Sequence, residues 1–364
     1  MQETQSHPNE TPTLIVLEGD ETGQELLEEA LRVLSPEVTG VELVFRRYDL
    51  SLENRRRTGN AVVREAGQHL REARYGIKAA TVTPEIPGDV GSPNAILREE
   101  VGATVILRTG RRIPGVATYP GVEGPITIVR MAVGEAYGAR EERTRDGADE
   151  VAVRTERISR RVCRGVAETA FTLAERSGAR VFGGPKYTVS SVFEGMLKEE
   201  LDASARRHPA VTYEPQLIDT TYALLLSRAR EALVIPALNR DGDCLSDLVL
   251  PLFGTIAGAE SSIVAVAEDG SPEVVITEAP HGTAPTLFGR NRANPMAMIL
   301  AAATVLEAMP GEAYHAAGGA IREAVLDNVT AGIRTGDLGG EATMSAFTDA
   351  VIGRLRERRA LARA

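Results

Sequence analysis

Cysteine is scarce in this sequence and tryptophan is absent: the 364 residues include two cysteines, Cys163 and Cys244, and no tryptophan. Two cysteines are too few for a disulfide framework and are typical of a reducing compartment. No apolar run reaches the ~20 residues that a membrane-spanning helix needs. Residues 1–12 are polar, lack the apolar core of a signal peptide and are predicted to form a disordered lead. We therefore expect a soluble, cytoplasmic protein.

Positive charge is also in deficit. The chain has 41 Lys and Arg against 51 Asp and Glu, a formal net charge of -10. This balance argues against non-specific nucleic-acid binding, so an anionic ligand must be held by locally placed arginines. The length is sufficient for a large core divided between two lobes.

Short apolar segments alternate with segments of helical periodicity. Strands are predicted at Thr13–Leu17, Val41–Phe45, Ile77–Ala80, Val105–Leu107, Ile126–Arg130, Ala179–Phe182, Ala232–Ile235, Ser262–Val266 and Val274–Ile276. The alternation predicts an α/β fold. No Gly-x-Gly-x-x-Gly follows a strand and no Walker-type loop occurs, which argues against a Rossmann nucleotide site.

One acidic segment, Asn239–Asp247, follows a predicted strand. Its glycine predicts a turn, after which Asp243 and Asp247 stand four residues apart at the start of a helical pattern. Side chains at this spacing share one helix face, and two adjacent carboxylates favour a cation between them, such as Mg²⁺ or Mn²⁺. The alternative is a solvated acidic first turn, which the helix dipole also favours. Asp219 is either a third ligand or a helix N-cap.

Basic and hydroxyl groups complete the candidate site. Arg98, Arg108 and Arg130 could bind carboxylates bidentately, although each alone is as well explained as a surface charge. Tyr137 and Lys186 can act as general acid and base when a nearby cation lowers their pKa values, the alternatives being a core tyrosine and a surface lysine. Together these groups indicate a site for a metal-chelated polycarboxylate.

The order of these motifs resembles the β-decarboxylating dehydrogenases, the superfamily of isocitrate and isopropylmalate dehydrogenases, and within it the eukaryotic type of NADP-dependent isocitrate dehydrogenase. The resemblance covers the chain from about Thr13 onward. It rests on residues 77–85, Ser92-Pro-Asn94 with Arg98, residues 125–130 with Tyr137, Asp241-Gly-Asp through Asp247, and His281-Gly-Thr283.

The resemblance implies two α/β domains with a central cleft and not a Rossmann fold. Residues 13–102 and 254–364 would form the large, cofactor-side domain. Residues 103–253 would form the small domain, with the interface of a homodimer and a clasp shortened to about 138–154.

The resemblance also implies a role for each matching position. Thr83, Ser92 and Asn94 would contact the variable arm of the substrate, and Arg98, Arg108 and Arg130 its malate carboxylates, with a one-residue shift needed at Arg108. The implied cofactor-binding residues are Lys78, Thr81, Thr83, His281, Gly282, Thr283, Ala284 and Asn294. Mg²⁺ or Mn²⁺ would bind Asp243 and Asp247, joined by Asp219 across the dimer. Tyr137 would be the acid, and Lys186, also from across the dimer, the base.

The implied reaction is the oxidation of a 2-hydroxy acid by NAD or NADP, followed by decarboxylation. Ser92-Pro-Asn94 resembles the isocitrate pattern, whereas isopropylmalate enzymes place apolar residues there. The expected arm is therefore anionic: the carboxylate of isocitrate, or a replacement such as the phosphonate of a secondary-metabolite analogue. A non-catalytic regulatory paralogue is the alternative from another class, although the acid, base and metal groups are all present.

The choice between NAD and NADP is inferred from positions at which this chain differs from the resembled enzymes. After His281-Gly-Thr, NADP enzymes of the resembled type place basic residues that hold the 2′-phosphate, whereas this chain has Ala284–Phe288. Leu224 and Ser227 replace further phosphate-binding positions, which favours NAD. Thr286 stands where NAD enzymes usually place an aspartate, and Arg290 and Arg292 leave NADP open.

Overall fold

The computed structural model describes residues 11–86, 88–267 and 270–363, so the predicted disordered lead lies almost entirely outside the described residues. The strands are β1 (Thr13–Glu18), β2 (Val44–Asp49), β3 (Tyr75–Lys78), β4 (Val105–Gly110), β5 (Ile126–Met131), β6 (Arg140–Asp146), β7 (Asp149–Thr155), β8 (Arg180–Phe182), β9 (Tyr213–Glu214), β10 (Leu233–Ala237), β11 (Glu260–Val266) and β12 (Pro272–Glu278). The α-helices are α1 (Glu21–Val33), α2 (Pro36–Thr39), α3 (Leu52–Thr58), α4 (Ala61–Ala73), α5 (Pro93–Glu100), α6 (Arg160–Ser177), α7 (Phe193–Arg207), α8 (Ile218–Arg228), α9 (Asn239–Val249), α10 (Met296–Ala308), α11 (Glu312–Thr330) and α12 (Met344–Arg363). Within these ranges no helix combines the length and the apolarity needed to cross a membrane. The predicted α/β class is confirmed.

The chain divides into two compact units. The terminal unit contains the chain up to Pro93 and from Val275 onward, and the central unit is Asn94–Val274. The domain boundaries expected from the sequence, at 102/103 and 253/254, differ from these. The difference at 253/254 follows from strand pairing: β11 is antiparallel to β4 across Val264↔Val105, so β11 belongs to the central unit.

The terminal unit is built on the parallel strands β2, β1, β3 and β12, in that order. The middle of β1, Leu14–Leu17, is buried along both faces, as expected of a parallel strand covered on both sides. The second strand was predicted to begin at Val41, but β2 begins three residues later, at Val44. Leu26, Leu27 and Ala30 of α1 are buried at helical spacing, which confirms the predicted amphipathic helix.

The central unit is a mixed sheet in the order β11-β4-β5-β10-β8-β9. Strands β11, β4 and β5 are antiparallel neighbours, and the remaining pairs are parallel. Apolar side chains of β5, β10 and α9, such as Ile128, Ile235 and Leu245, share one buried cluster. The register pairs Arg130 at the end of β5 with Ala237 at the end of β10, so Arg130 lies beside the start of α9.

A separate two-stranded hairpin follows Tyr137. Strands β6 and β7 pair antiparallel from Arg140↔Thr155 to Asp146↔Asp149. All residues of the hairpin except Val151 are exposed. The hairpin falls in the segment, at about 138–154, where the resemblance implied a shortened clasp. Because β7 extends to Thr155, the next helix, α6, starts only at Arg160.

Candidate active site

Asp243 joins three of the candidate side chains of the central unit: Tyr137, Arg108 and Arg130. Its carboxylate accepts a hydrogen bond from the Tyr137 hydroxyl at 2.9 Å and one from Arg108 Nη1 at 3.3 Å. Arg130 Nη1 forms an ion pair with the same carboxylate. One carboxylate thus joins the predicted acid to two of the three predicted carboxylate-binding arginines.

Arg130 is held rigidly before any ligand arrives. Its side chain is 5% exposed, and its Nε donates to Asn239 Oδ1 at 3.0 Å. Burial lowers the pKa of Arg130 to about 10, and the negative charge of Asp243 opposes that shift. Because desolvating an unpaired guanidinium is costly, Asp243 stabilises this buried cation.

Asp243 and Asp247 present their oxygens to a common point. Oδ1 of each carboxylate lies 3.3 Å from Arg108 Nη1. Asp247 is largely exposed, so this edge of the site is open. A guanidinium between the two carboxylates shows that they can share a cation, and paired carboxylate oxygens suit Mg²⁺ or Mn²⁺. The residues therefore fit a divalent metal.

Asp219 and Lys186 pair with each other: Lys186 Nζ forms an ion pair with Asp219 Oδ2. Within the described part of this chain, no group of three or more metal-binding side chains forms. A single chain thus supplies Asp243 and Asp247 together but leaves Asp219 with Lys186.

Tyr137 is half exposed and lies under Arg130, whose guanidinium carbon is 5.4 Å from the ring centre. Partial burial and the hydrogen bond to Asp243 raise the pKa of the Tyr137 hydroxyl. The positive charge of Arg130 opposes this rise in the pKa, in the direction expected of a nearby cation, but burial and Asp243 outweigh it. A tyrosine with a raised pKa is protonated at neutral pH and can donate a proton.

Arg98 and Asn94 lie on α5, also in the central unit. Arg98 Nη1 donates to Ala132 O at 3.1 Å, and Arg98 Nε donates to Asn94 O at 3.1 Å. The side-chain oxygen of Asn94 is buried without a hydrogen-bond partner among the described residues. An unsatisfied buried acceptor is unusual in a native protein and is consistent with a site that binds a donor.

Thr83 and Ser92 lie on a loop of the terminal unit. Thr83 is exposed and Ser92 is partly buried. The buried Arg55 fastens both ends of this loop, because Nη1 donates to Gly91 O at 3.0 Å and Nη2 donates to Val82 O. The loop between these two points can therefore present Thr83 from a fixed base.

The predicted cofactor residues also lie in the terminal unit. Thr81 Oγ1 and His281 Nε2 are buried without hydrogen-bond partners among the described residues. Burial lowers the pKa of His281, so its ring is neutral at physiological pH. Ala284 has a left-handed backbone, with φ 45°, and its carbonyl accepts from Thr22 Oγ1 at 2.9 Å. Unpartnered polar atoms beside a shaped loop fit a nicotinamide cofactor.

Of three other residues in the predicted cofactor set, two hydrogen-bond within the protein and the third, a glycine, is exposed to solvent. Lys78 is buried, with Nζ 2.9 Å from Ala79 O and 3.4 Å from Glu278 Oε2. Asn294 Nδ2 donates to Asp337 Oδ2 at 2.9 Å. Gly282 is exposed, and a Cβ there would meet nothing within 4 Å.

Sequence reasoning missed three residues of the central network. Ser246 accepts from Arg108 Nη1 at 2.8 Å, and Asn239 accepts from Arg130. Asn239 precedes Asp243 by four residues and Ser246 follows it by three, so both share a helix face with Asp243. Helical spacing could therefore have identified them. Glu135 accepts a hydrogen bond from the Arg240 backbone, and burial raises the pKa of its carboxyl. No sequence signal marks Glu135.

Gly242 lies inside α9 and not in the turn that the sequence predicted. A Cβ at this position would lie 2.7 Å from Arg130 Cβ and 2.8 Å from Arg130 Cγ. The glycine is therefore needed for the close approach of α9 to β5, which brings Asp243 to Arg130.

Replacing Gly242 with alanine is expected to lower the free energy of unfolding by about 1–3 kcal/mol, because the added methyl group overpacks this contact. The measurement is chemical denaturation of both proteins. Gly195→Ala is the matched control, since a Cβ at Gly195, also helical, would meet nothing within 4 Å. Equal stability of Gly242→Ala and the unmodified protein would contradict the close-packing argument.

Comparison with known proteins gives consistent matches along the whole chain. The family model described as isocitrate/isopropylmalate dehydrogenase matches residues 13–351. An isocitrate/homoisocitrate dehydrogenase of Thermus thermophilus is 30% identical over 347 residues, covering 94% of this chain and 98% of the relative. A 3-isopropylmalate dehydrogenase of Methanothermobacter thermautotrophicus is 30% identical over 332 residues, covering 90% and 94%. The crystal structure of isocitrate dehydrogenase from Methylococcus capsulatus superposes with a TM-score of 0.82 at 22% identity, covering 95% of this chain and 100% of that one.

Proposed function

Because the chain belongs to the isocitrate/isopropylmalate dehydrogenase family, we propose that it oxidatively decarboxylates isocitrate or a close 3-substituted malate, with NAD or NADP as the hydride acceptor. The observation that carries the proposal is the Asp243 network. It joins one metal-binding carboxylate to the candidate acid Tyr137 and to the candidate substrate clamps Arg108 and Arg130.

In the proposed reaction, Arg98, Arg108 and Arg130 hold the two carboxylates of the malate core. Lys186 takes the proton of the 2-hydroxyl group, and NAD or NADP, when bound, would supply the acceptor for the hydride from C2. The C3 carboxylate then departs as carbon dioxide, and Tyr137 returns a proton to C3. A divalent metal on Asp243 and Asp247, when bound, would polarise the C2 oxygen. Arg108 is the cation that lies between these two carboxylates in the structure. A metal bound in its place would free Arg108 to bind the substrate.

The separation of Lys186 and Asp219 from Asp243 within one chain supports a homodimer with shared sites. Exposed apolar side chains follow each of the two residues along the chain: Val189 and Val192 follow Lys186, and Leu226 follows Asp219 on the same helix. We propose that a second copy covers this surface and supplies its own Lys186 and Asp219 to the site. Sedimentation of the purified protein measures the oligomeric state directly.

The first test is absorbance at the reduced-nicotinamide band with Mg²⁺ and isocitrate, run separately with NAD and NADP. Turnover supports the proposal. If isocitrate is inert, homoisocitrate, isopropylmalate and a phosphonate analogue are assayed in turn, because the arm is the least determined part of the substrate. Failure of all four would favour a non-catalytic role. One relative, 28% identical over 344 residues, is named as a regulatory subunit of an NAD-dependent isocitrate dehydrogenase of Dictyostelium discoideum.

NAD is expected to give a higher kcat/KM than NADP by about tenfold or more, since losing one charge-assisted hydrogen bond to the 2′-phosphate has about that effect. Residues 284–288 carry no charged side chain, so this segment offers no cation to the 2′-phosphate. Steady-state kinetics with both cofactors measure the ratio. Arg290→Ala and Arg292→Ala serve as controls, because a residual contribution of either arginine would lower activity with NADP alone. A preference for NADP in the unmodified enzyme would contradict the expectation.

A further inference from the structure

Helix α9 carries the metal-binding aspartates but lacks a local N-terminal cap. Its N-cap residue is Leu238, whose side chain makes no capping hydrogen bond. N-cap side chains normally accept from the backbone N–H groups two or three residues into the helix. Here the first of these groups, the N–H of Arg240, donates at 2.6 Å to Oε2 of Glu135, a residue distant in sequence. A remote carboxylate thus caps the helix.

Glu135 occupies an unfavourable backbone conformation. Its φ is 56°, in the left-handed region, where a side chain costs free energy that surrounding contacts must offset. The residue is buried, and its backbone N–H donates to Arg157 O at 2.9 Å. The strain is therefore maintained by hydrogen bonds at both the backbone and the carboxylate of Glu135.

A second tie acts next to the first. Asn239 Nδ2 donates to Gly134 O at 3.1 Å, so Gly134 and Glu135 are bound to consecutive residues at the start of α9. The short 3₁₀ turn that follows, Glu135–Gly138, carries Tyr137. The Tyr137 hydroxyl lies 2.9 Å from Asp243 Oδ2 on the same helix. Glu135 is thus the buried connection between the turn and the helix.

We propose that Glu135 is a positioning residue: its carboxylate locks the Tyr137 turn to the first turn of α9 and so places the phenol at Asp243. The inference rests on the proposed function for the role of Tyr137 in proton transfer. Among the described residues, Glu135 hydrogen-bonds to the backbone of Arg157 and Arg240, neither of which we assign to substrate or cofactor, so its effect must act through the orientation of Tyr137.

The key variant is Glu135→Gly, because glycine adopts the left-handed conformation without strain yet removes the cap. Its kcat is expected to fall by about 10- to 100-fold with KM nearly unchanged, since misplacing a catalytic group by ~1 Å has an effect of this size. Glu135→Gln retains an acceptor oxygen and should keep kcat within about threefold of the unmodified enzyme, by the same geometric argument. A folded Glu135→Gly protein with unchanged kcat overturns the proposal.

Ser159→Ala is the matched control. Ser159 Oγ caps α6 by accepting from Val162 N at 3.3 Å, and it lies two residues after Arg157, whose carbonyl accepts from Glu135 N, so the variant removes a cap in the same unit while keeping the Glu135 carboxylate. Loss of this cap should alter thermal stability and leave kcat unchanged. If both cap deletions lower kcat equally, Glu135 has only a general structural role.

Two further measurements separate the inference from the proposed function. With Mg²⁺ and reduced nicotinamide, exchange of the C3 protons of 2-oxoglutarate with D₂O reports proton transfer, and it should fall in Glu135→Gly in parallel with kcat. A crystal structure of Glu135→Gly decides the geometry even if the unmodified protein turns over none of the tested acids, which would refute the proposed function alone. Movement of the Tyr137 hydroxyl beyond hydrogen-bond distance of Asp243 supports the inference, and retention of the 2.9 Å contact refutes it.

Discussion

Lys186→Met is expected to lower kcat by about 10²- to 10⁴-fold, the range typical of removing a general base. Methionine approximates the length of lysine but cannot accept or carry the proton of the 2-hydroxyl group. Steady-state kinetics on the substrate that the unmodified enzyme turns over measure the loss.

Folding should survive this substitution. Lys186 and Asp219 form an ion pair in which the Asp219 side chain is 60% exposed, and such pairs contribute little to stability. The backbone N–H of Lys186, which donates to Glu194 Oε2 at 2.5 Å, is unaffected by the change. Circular dichroism and sedimentation should therefore match the unmodified protein.

Lys198→Met is the matched control, because Lys198 also pairs with an aspartate, Asp202, and lies in the same unit. Its kcat should be unchanged. Near-normal activity of Lys186→Met, with the unmodified enzyme active, would remove Lys186 from the mechanism.

Asp243→Asn is expected to weaken Mn²⁺ binding by about 100-fold or more, since even removing a group that only supports a metal ligand costs 10- to 100-fold. The amide keeps the shape of the carboxylate but loses the charge that a hard cation requires. Titration of Mn²⁺ followed by electron paramagnetic resonance measures the dissociation constant. An unchanged titration would dismiss the metal assignment.

The same substitution should also destabilise the metal-free protein by about 1–3 kcal/mol, because the buried guanidinium of Arg130 loses its charged partner. Asp247→Asn is the control, since Asp247 is 71% exposed and does not contact Arg130. That variant should weaken Mn²⁺ binding and leave the unfolding free energy nearly unchanged. A similar loss of stability in both variants would show that Asp243 does not specifically stabilise Arg130.

The sequence predicted those parts of the site that follow from local spacing. Asp243 and Asp247 share a helix face, as their spacing indicated, and Arg130 lies one residue before the end of a strand predicted to end at Arg130. Contacts between segments that are distant along the chain could not be predicted from spacing. The role of Gly242 depends on how closely β5 approaches α9, and that of Glu135 depends on a turn reaching the helix from more than one hundred residues away. The boundary expected at 253/254 differed for the same reason, because the pairing of β11 with the distant strand β4 places β11 in the central unit.

The two units also differ in when they can be completed during synthesis. The central unit is one continuous stretch, so all of it can leave the ribosome before the chain ends. The terminal unit begins first and finishes last: β3 pairs with β1 early, but its other edge waits for β12. A nascent chain therefore carries an unprotected strand edge throughout translation of the central unit, and such an edge is a site for misassembly between chains. The order of the strands along the chain thus leaves β3 without its second neighbour until β12 has been synthesised.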